Sequence, residues 1–301
     1  MVFRRITQND VGRYGRFLKK APQKLLYGLV FALFITITHQ RLMKKEESRF
    51  SQSLIFEGMT SIRACIHGWE KGISDRRIRR ILLDGERLKN KGREISYLKA
   101  MSCKLGFDLV TTDGARIDSL TVGSTHGGII AECTERTIPS LSDVTDQIAP
   151  RGFYAMIEGI EDPYNFGYAM RSLYACGCNG VILTPRNWMS AAGVVCRSSA
   201  GASEVMPLYI AEAEEAAAVM RSLGYKVVCA GIRDSVSSFD CDLAYPVFLV
   251  VGGEKRGISR AMLDLADTVV RIDYAGEFSG SLSAASAASM LAYEVMRSNR
   301  K

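Results

Sequence analysis

The run Phe153-Tyr154-Ala155-Met156-Ile157-Glu158-Gly159-Ile160, continued by Glu161-Asp162-Pro163-Tyr164-Asn165-Phe166-Gly167-Tyr168-Ala169-Met170-Arg171, decides the architecture. An apolar stretch of strand type ends at a glycine turn, and an Asp-Pro pair then opens a helix. A strand feeding a helix through a short polar loop is the unit of an open α/β sheet, whose ligands bind beyond the carboxyl ends of the strands. Asn165 and Gly167 shape the helix entry. Arg171, on the first turns, is placed for its guanidinium to reach back over the strand end. Capping by Asp162 or Asn165, with Arg171 as a surface charge, is the alternative.

Working outward, apolar runs at 153–160, 179–184, 205–210, 225–231, 246–252 and 268–272 predict parallel strands buried on both faces. Helices fall between them, including 211–223, which Gly224 would close. Upstream, a helix over 59–69, a strand over 78–83, a helix over 94–105 and strands over 108–112 and 128–133 describe a smaller α/β domain. The division expected is a basic and apolar extension (1–50), a small α/β domain (51–135), a linker (136–150) and a larger α/β domain (151–301).

The formal charge of +7 is uneven: residues 1–50 carry a net +8, residues 51–100 a net +5, and the remainder −6. Positive charge gathered in one third of a chain suits a polyanion-binding module. The densest cluster holds Arg76, Arg77, Arg79 and Arg80, followed by Arg87, Lys89, Lys91 and Arg93. A solvated basic face is the alternative. The eight cysteines show no C-x-x-C and no paired spacing with the three histidines, so no zinc site is expected, and reduced thiols in a cytoplasmic protein fit better. Residues 25–38 are largely apolar but short of the ~20 needed to span a bilayer. They are read as an extension outside the enzyme core, with Met43 opening the folded protein; a membrane-associated helix is the alternative.

Two later segments complete the pattern begun at Asn165. Val247-Phe248-Leu249-Val250-Val251 runs into Gly252-Gly253-Glu254-Lys255-Arg256-Gly257, and Arg271-Ile272-Asp273 leads through a glycine loop to Ser281-Leu282-Ser283 before a final helix. A dinucleotide fold would need G-x-G-x-x-G after the first strand, where only Gly167 stands. A phosphate loop at Gly252 would need lysine where Ile258 lies, and neither a G-x-S-x-G elbow nor a histidine is available in this half for hydrolase chemistry.

In order and spacing these segments resemble the SpoU/TrmH family, the 2′-O-ribose RNA methyltransferases of the SPOUT class, whose pattern is N-x-G-x-x-x-R, then G-x-E-x-x-G, then I-P-x-x-G…S-L-N-V-S. Asn165, Gly167 and Arg171 match the first, and Gly252, Glu254 and Gly257 the second. Arg197-Ser198-Ser199-Ala200-Gly201-Ala202 with Pro207 resembles a further family segment. The third motif departs: Asp273 stands for proline, Ser283 for asparagine, and the loop is about one residue longer.

The resemblance implies a C-terminal parallel sheet tied in a trefoil knot, S-adenosylmethionine as methyl donor, and a homodimer formed through that domain. It implies a catalytic set of Asn165, Arg171, Glu254, Ser281 and Ser283, and cofactor contacts at Ala230, Gly231, Gly252, Gly257, Ile272 and Leu282. The substrate would be RNA, rRNA first and tRNA second. The small domain would bind it through Arg76, Arg77, Arg79, Arg80 and His126, the last in a Thr125-His126-Gly127-Gly128 turn like that of the family's RNA-binding domain. A turn histidine bonding its own backbone is the other reading of His126, and a helix-dipole acid that of Glu254. Should the basic cluster not be the RNA site, the surface around Arg186, Asn187 and Arg197 is next. A catalytically weak relative that holds RNA is the competing function, motivated by Ser283.

Overall fold

The computed structural model describes residues 54–121, 125–185, 191–277 and 279–300. Residues 52–301 form one compact unit with two sheets. The readings made for residues 1–50 and for Arg186 and Asn187 lie outside the described residues.

The first sheet is built from β1 (Ile55–Glu57), β2 (Ile78–Asp84), β3 (Asp108–Thr112) and β4 (Ile129–Cys133), in the order β1-β4-β2-β3. β4 runs antiparallel to both neighbours, and β3 runs parallel to β2. Helices α1 (Gly58–Glu70), α2 (Gly92–Leu105) and α3 (Gly114–Leu120) connect them. α2 stops where Gly106 turns left-handed (φ 79°), and α3 starts where Asp113 accepts the Arg116 N–H at 2.7 Å. Ile78, Ile81 and Leu83 face a core shared with α1 and α2, whereas Leu82 points to the other face beside Ile117 and Ile130.

The second sheet holds β5 (Phe153–Glu158), β6 (Gly180–Leu183), β7 (Leu208–Ile210), β8 (Lys226–Ala230), β9 (Val236–Ser237), β10 (Val247–Gly252) and β11 (Thr268–Arg271). Its order is β7-β6-β5-β10-β8-β11-β9, with every pairing parallel. Its helices are α4 (Pro163–Ala175), α5 (Ala192–Ser198), α6 (Ala202–Val205), α7 (Ala213–Ser222), α8 (Arg260–Asp264) and α9 (Ala284–Ser298). Alternation along β5 sends Phe153, Ala155 and Ile157 toward α4 and α9, and Tyr154 and Met156 toward α7. Both faces are therefore dry, which is why these strands read as continuous apolar runs. No described helix is long and apolar enough to cross a membrane.

Residues 136–150, expected as a linker, are part of the fold. Ile210 N–H donates to Pro139 O at 2.9 Å, Ser140 forms an isolated parallel bridge with Ile210, and Leu141 is buried in the 3-10 turn Leu141–Gln147. Arg136 forks to the carbonyls of Ser203 (2.5 Å), Ile73 (3.1 Å) and Met206 (3.1 Å), and burial pushes its guanidinium below its ordinary proton affinity. Beside it, Arg76 Nε meets Glu204 Oε2 at 2.9 Å with the two side chains 2% and 3% exposed. Ala192 and Cys196 of α5 complete the first core while Val195 joins the second. The two sheets thus share a wall held by buried charge.

Candidate functional site

β5, β10, β8 and β11 are neighbours in the sheet, so the loops leaving their carboxyl ends gather along one edge. The β5 loop ends at Asp162, whose Oδ1 accepts the N–H groups of Tyr164 (2.7 Å) and Asn165 (2.9 Å) and starts α4. Asn165 Nδ2 then donates to Glu254 Oε1 at 2.9 Å, joining residues that lie 89 apart in the chain. Glu254 sits in the loop before α8 and serves as the amide's acceptor rather than as a cap.

That β10 loop folds onto β5. Gly253 N–H donates to Glu158 O (2.6 Å), Gly257 N–H to Gly253 O (3.0 Å), and Ser259 N–H to Glu158 Oε2 (3.1 Å). A Cβ on Gly252 would overlap the Gly257 main chain. The close approach that glycine permits here is therefore between chain and chain, where a ligand was expected. Gly257 itself is left-handed (φ 65°) and faces open space.

Ala230 and Gly231 leave β8 half-buried, and Gly231 N–H donates to Val270 O at 2.9 Å. In the β11 loop Ile272 packs on the core, and Asp273 accepts from the Ser237 hydroxyl and from Arg271 Nε (2.8 Å). Those two bonds, the serine's first, hold the Asp273 carboxyl below the usual carboxylate range. Ser281 is exposed and Leu282 half-buried. Ser283 Oγ accepts the Ser286 N–H at 3.1 Å and caps α9. The hydroxyl standing where asparagine was expected is engaged in starting a helix.

Arg171 stands apart. Six residues beyond Asn165, at ~100° each, it lies about 120° around the helix from that amide. Its exposed side chain lines a cleft whose described lining includes no residue of the β5, β10, β8 or β11 loops. No hydrogen bond among the described residues links Arg171, Ser281 or Ser283 to the Asn165–Glu254 pair.

The basic cluster divides. Arg76 is buried on Glu204, with its guanidinium 4.6 Å from the Phe56 ring centroid, and cannot meet a phosphate. Arg77 lies 4.7 Å over Trp69 and bonds the carbonyls of Ser74 and Arg76. Arg80 is held bidentate by Glu132 at 2.7 and 2.9 Å but remains half-exposed, and Arg79 is exposed. His126 is also corrected: its ring is fully buried, Nδ1 accepts the Gly128 N–H at 3.2 Å, and Nε2 lies 3.1 Å from Asp118 Oδ1 outside hydrogen-bond geometry. The backbone-bonding turn histidine is what the structure contains.

All eight cysteines are unpaired. Burial pushes the Cys178 thiol up to about 12, and Cys65 also well above its ordinary value. No group of three or more potential metal ligands occurs among the described residues. The edge thus offers main chain, hydroxyls, the Asn165 amide and the carboxylates of Glu158, Asp162, Glu254 and Asp273, a set suited to binding and aligning. The sequence reading missed Arg63, His67, Tyr97 and Tyr174, which line the Arg171 cleft. The spacing of Arg63 and His67, one helical turn apart on α1, was the only local signal.

Residues 152–293 match the family model described as the SpoU rRNA Methylase family. The 23S rRNA (guanosine-2′-O-)-methyltransferase RlmB of a Burkholderia species is 28% identical over 195 residues, covering 64% of this chain and 78% of its own. RlmB of Shewanella oneidensis is 28% identical over 220 residues, with 70% and 87% covered. Among solved structures, the AdoMet-bound rRNA methyltransferase from Sinorhizobium meliloti superposes with a TM-score of 0.68 at 21% identity, over 83% of this chain and 93% of that one. The parallel sheet, the order of the three motifs and these matches agree: residues 152–293 form a domain of the SpoU rRNA Methylase family.

Proposed function

We propose that this protein is an S-adenosylmethionine-dependent RNA methyltransferase acting on a ribose 2′-hydroxyl, with rRNA as the substrate class and tRNA as the next candidate. The observation that carries the proposal is the Asn165–Glu254 hydrogen bond, which ties the first two family motifs together on the strand edge where α/β sheets bind ligands. The loops at Ala230–Gly231, Gly252–Gly257 and Ile272–Leu282 would hold the donor. Their main-chain groups and hydroxyls suit an adenosyl moiety, and Glu254, next to Gly253, offers a carboxylate to balance a sulfonium charge. That cofactor supplies an already activated methyl group, so the protein's task is alignment and removal of the hydroxyl proton.

Arg171 acts on the RNA electrostatically, its guanidinium holding a phosphate and polarising the hydroxyl. Ser281 is exposed at the mouth of α9 and available to substrate. Arg77, Arg79 and Arg80 remain the phosphate contacts of the small domain. A trefoil knot through the 272–283 segment is part of this reading, supported by β11 lying inside the sheet order before the chain passes to α9. So is a cytoplasmic homodimer: Phe239 (70% exposed), Met290 (47%) and Tyr293 (55%) form an apolar surface beside the β11 loop that a second copy would cover.

Ser283 favours one rival, a relative that holds RNA without methylating it, since its hydroxyl caps α9. Calorimetry with S-adenosylmethionine, followed by transfer of labelled methyl to rRNA from cells lacking the gene, decides. Donor binding and a 2′-O-methylated nucleoside, located by mass spectrometry, are expected. RNA binding with no donor binding would establish the rival.

A further inference from the structure

A cleft of about 650 Å3 separates α1 from α4. Its size falls in the ~300–1,000 Å3 range of ligand clefts. One wall carries Arg63 and His67 of α1 with Tyr97 of α2, and the other carries Arg171 and Tyr174 of α4. The Arg63 guanidinium lies 5.1 Å from the Tyr97 ring centroid, which fixes a half-buried aromatic plane with a cation stacked on it. Tyr174 is 45% exposed. The acid on the rim, Glu70, is neutralised by Lys104 at 2.5 Å, so the cleft's uncompensated charge is positive. Along the floor runs Ala200, a non-glycine residue in the left-handed region (φ 52°). Such strain persists where surrounding structure enforces it and clusters at ligand sites.

Aromatic planes interleaved with cations recognise unpaired nucleotides, because every base has a face to stack and every linkage a phosphate to neutralise. A base inside an RNA duplex presents only its edge to such a cleft. We propose that this cleft receives an unstacked base and its phosphate from single-stranded RNA flanking the methylated ribose. Tyr97 and Tyr174 offer the stacking faces, and Arg63, His67 and Arg171 meet the phosphate. The inference rests on the methyltransferase reading, in which Arg171 holds a phosphate of the bound strand; Tyr97 and Tyr174 line the same cleft as that guanidinium.

The test uses the full chain and two probes: a mixed-sequence seven-nucleotide RNA containing one 4-thiouridine, and the same strand annealed to its complement. Fluorescence anisotropy is expected to show the single strand weakened about tenfold in Tyr97→Leu and in Tyr174→Leu, as loss of one base–aromatic stack would give. Duplex affinity should change less than twofold. Irradiation should crosslink the single strand to peptides holding Tyr97 or Tyr174. Single-strand affinity within twofold of the parent, or crosslinks confined to the Arg77–Arg80 peptide, overturns the proposal. So does a parent protein that binds neither probe. Tyr174 is exposed, so its variant decides should Tyr97→Leu fail to fold. Donor binding by calorimetry is measured alongside. Its absence in the parent would fail the methyltransferase reading, while the tyrosine effects would report on the cleft separately.

Discussion

Replacing Glu204 by alanine should cost the folded state about 3–5 kcal/mol. The carboxylate is 3% exposed and lies 2.9 Å from Arg76 Nε, so its removal strands a guanidinium that is itself 2% exposed. A buried charge without its partner carries the desolvation cost alone. Arg76 keeps its bond to Thr134 O at 2.6 Å and its place over Phe56, which sets the expectation at the lower end of that range. Urea unfolding followed by the fluorescence of Trp69, which packs on the first core, reads the change. With m near 3 kcal/mol per M, the midpoint should fall by about 1 M while m is unchanged. The double variant Arg76→Met with Glu204→Leu removes both charges and should recover most of the loss. A Glu204→Ala loss below about 1 kcal/mol, the worth of a surface pair, would refute the account of the shared wall.

Arg171→Ala should abolish methyl transfer while leaving S-adenosylmethionine affinity unchanged, because a side chain used near the transition state lowers turnover more than ground-state binding; turnover above half of normal would remove it from the reaction. Ser283→Ala should cost about 1 kcal/mol in thermal unfolding through the lost cap and Ser283→Asn much less; equal losses would show the hydroxyl is needed otherwise. Changing Arg77, Arg79 and Arg80 together to Gln, with Arg76 kept, should flatten the log–log salt dependence of RNA binding by roughly 0.7–0.9 per lost phosphate contact. An unaltered slope would exclude this face. Asp118, bonded first by Arg87, Asp242 by Lys226, and Asp273 by Ser237 all have depressed folded pKa values. Their stabilisation is complete above the ordinary Asp value of ~3.9 and is lost as pH falls through the lower folded values. A denaturation midpoint constant from pH 5 to pH 2 would contradict this.

The strands of the second sheet were legible because burial on both faces makes them apolar throughout. Three short elements, β1, α3 and β9, were not, since a few residues set no period. Arg76 shows a subtler failure. It lies two residues before Ile78, so strand alternation already places it on the buried side, and its charge argued against what its position said. A register shift between Ile78 and Arg80 then turns Arg79 and Arg80 outward together, which alternation would not give. Its partner Glu204 lies 128 residues away and carries no mark in the sequence. Gly167 was read as shaping the helix entry. A Cβ there would clash with Ser198 Oγ, so its place in the motif follows from the contact of α4 with α5. Asn165 and Glu254 were read only as members of one set, and the bond between them was not foreseen; the helical angle between Asn165 and Arg171 shows that the arginine faces a different space.

Helix α5 gives one face to each core, and Arg136 fastens three carbonyls across the boundary between them. The small unit is consequently no detachable cartridge. Grafting another reader onto residues 150–301 would leave Ala192 and Cys196 without a covering and Glu204 without a counter-ion. Any exchange between relatives must carry 136–140 and 192–206 with the first sheet. Recombination and engineering alike would then find their seam inside the catalytic half, between residues that look from the sequence to belong wholly to it.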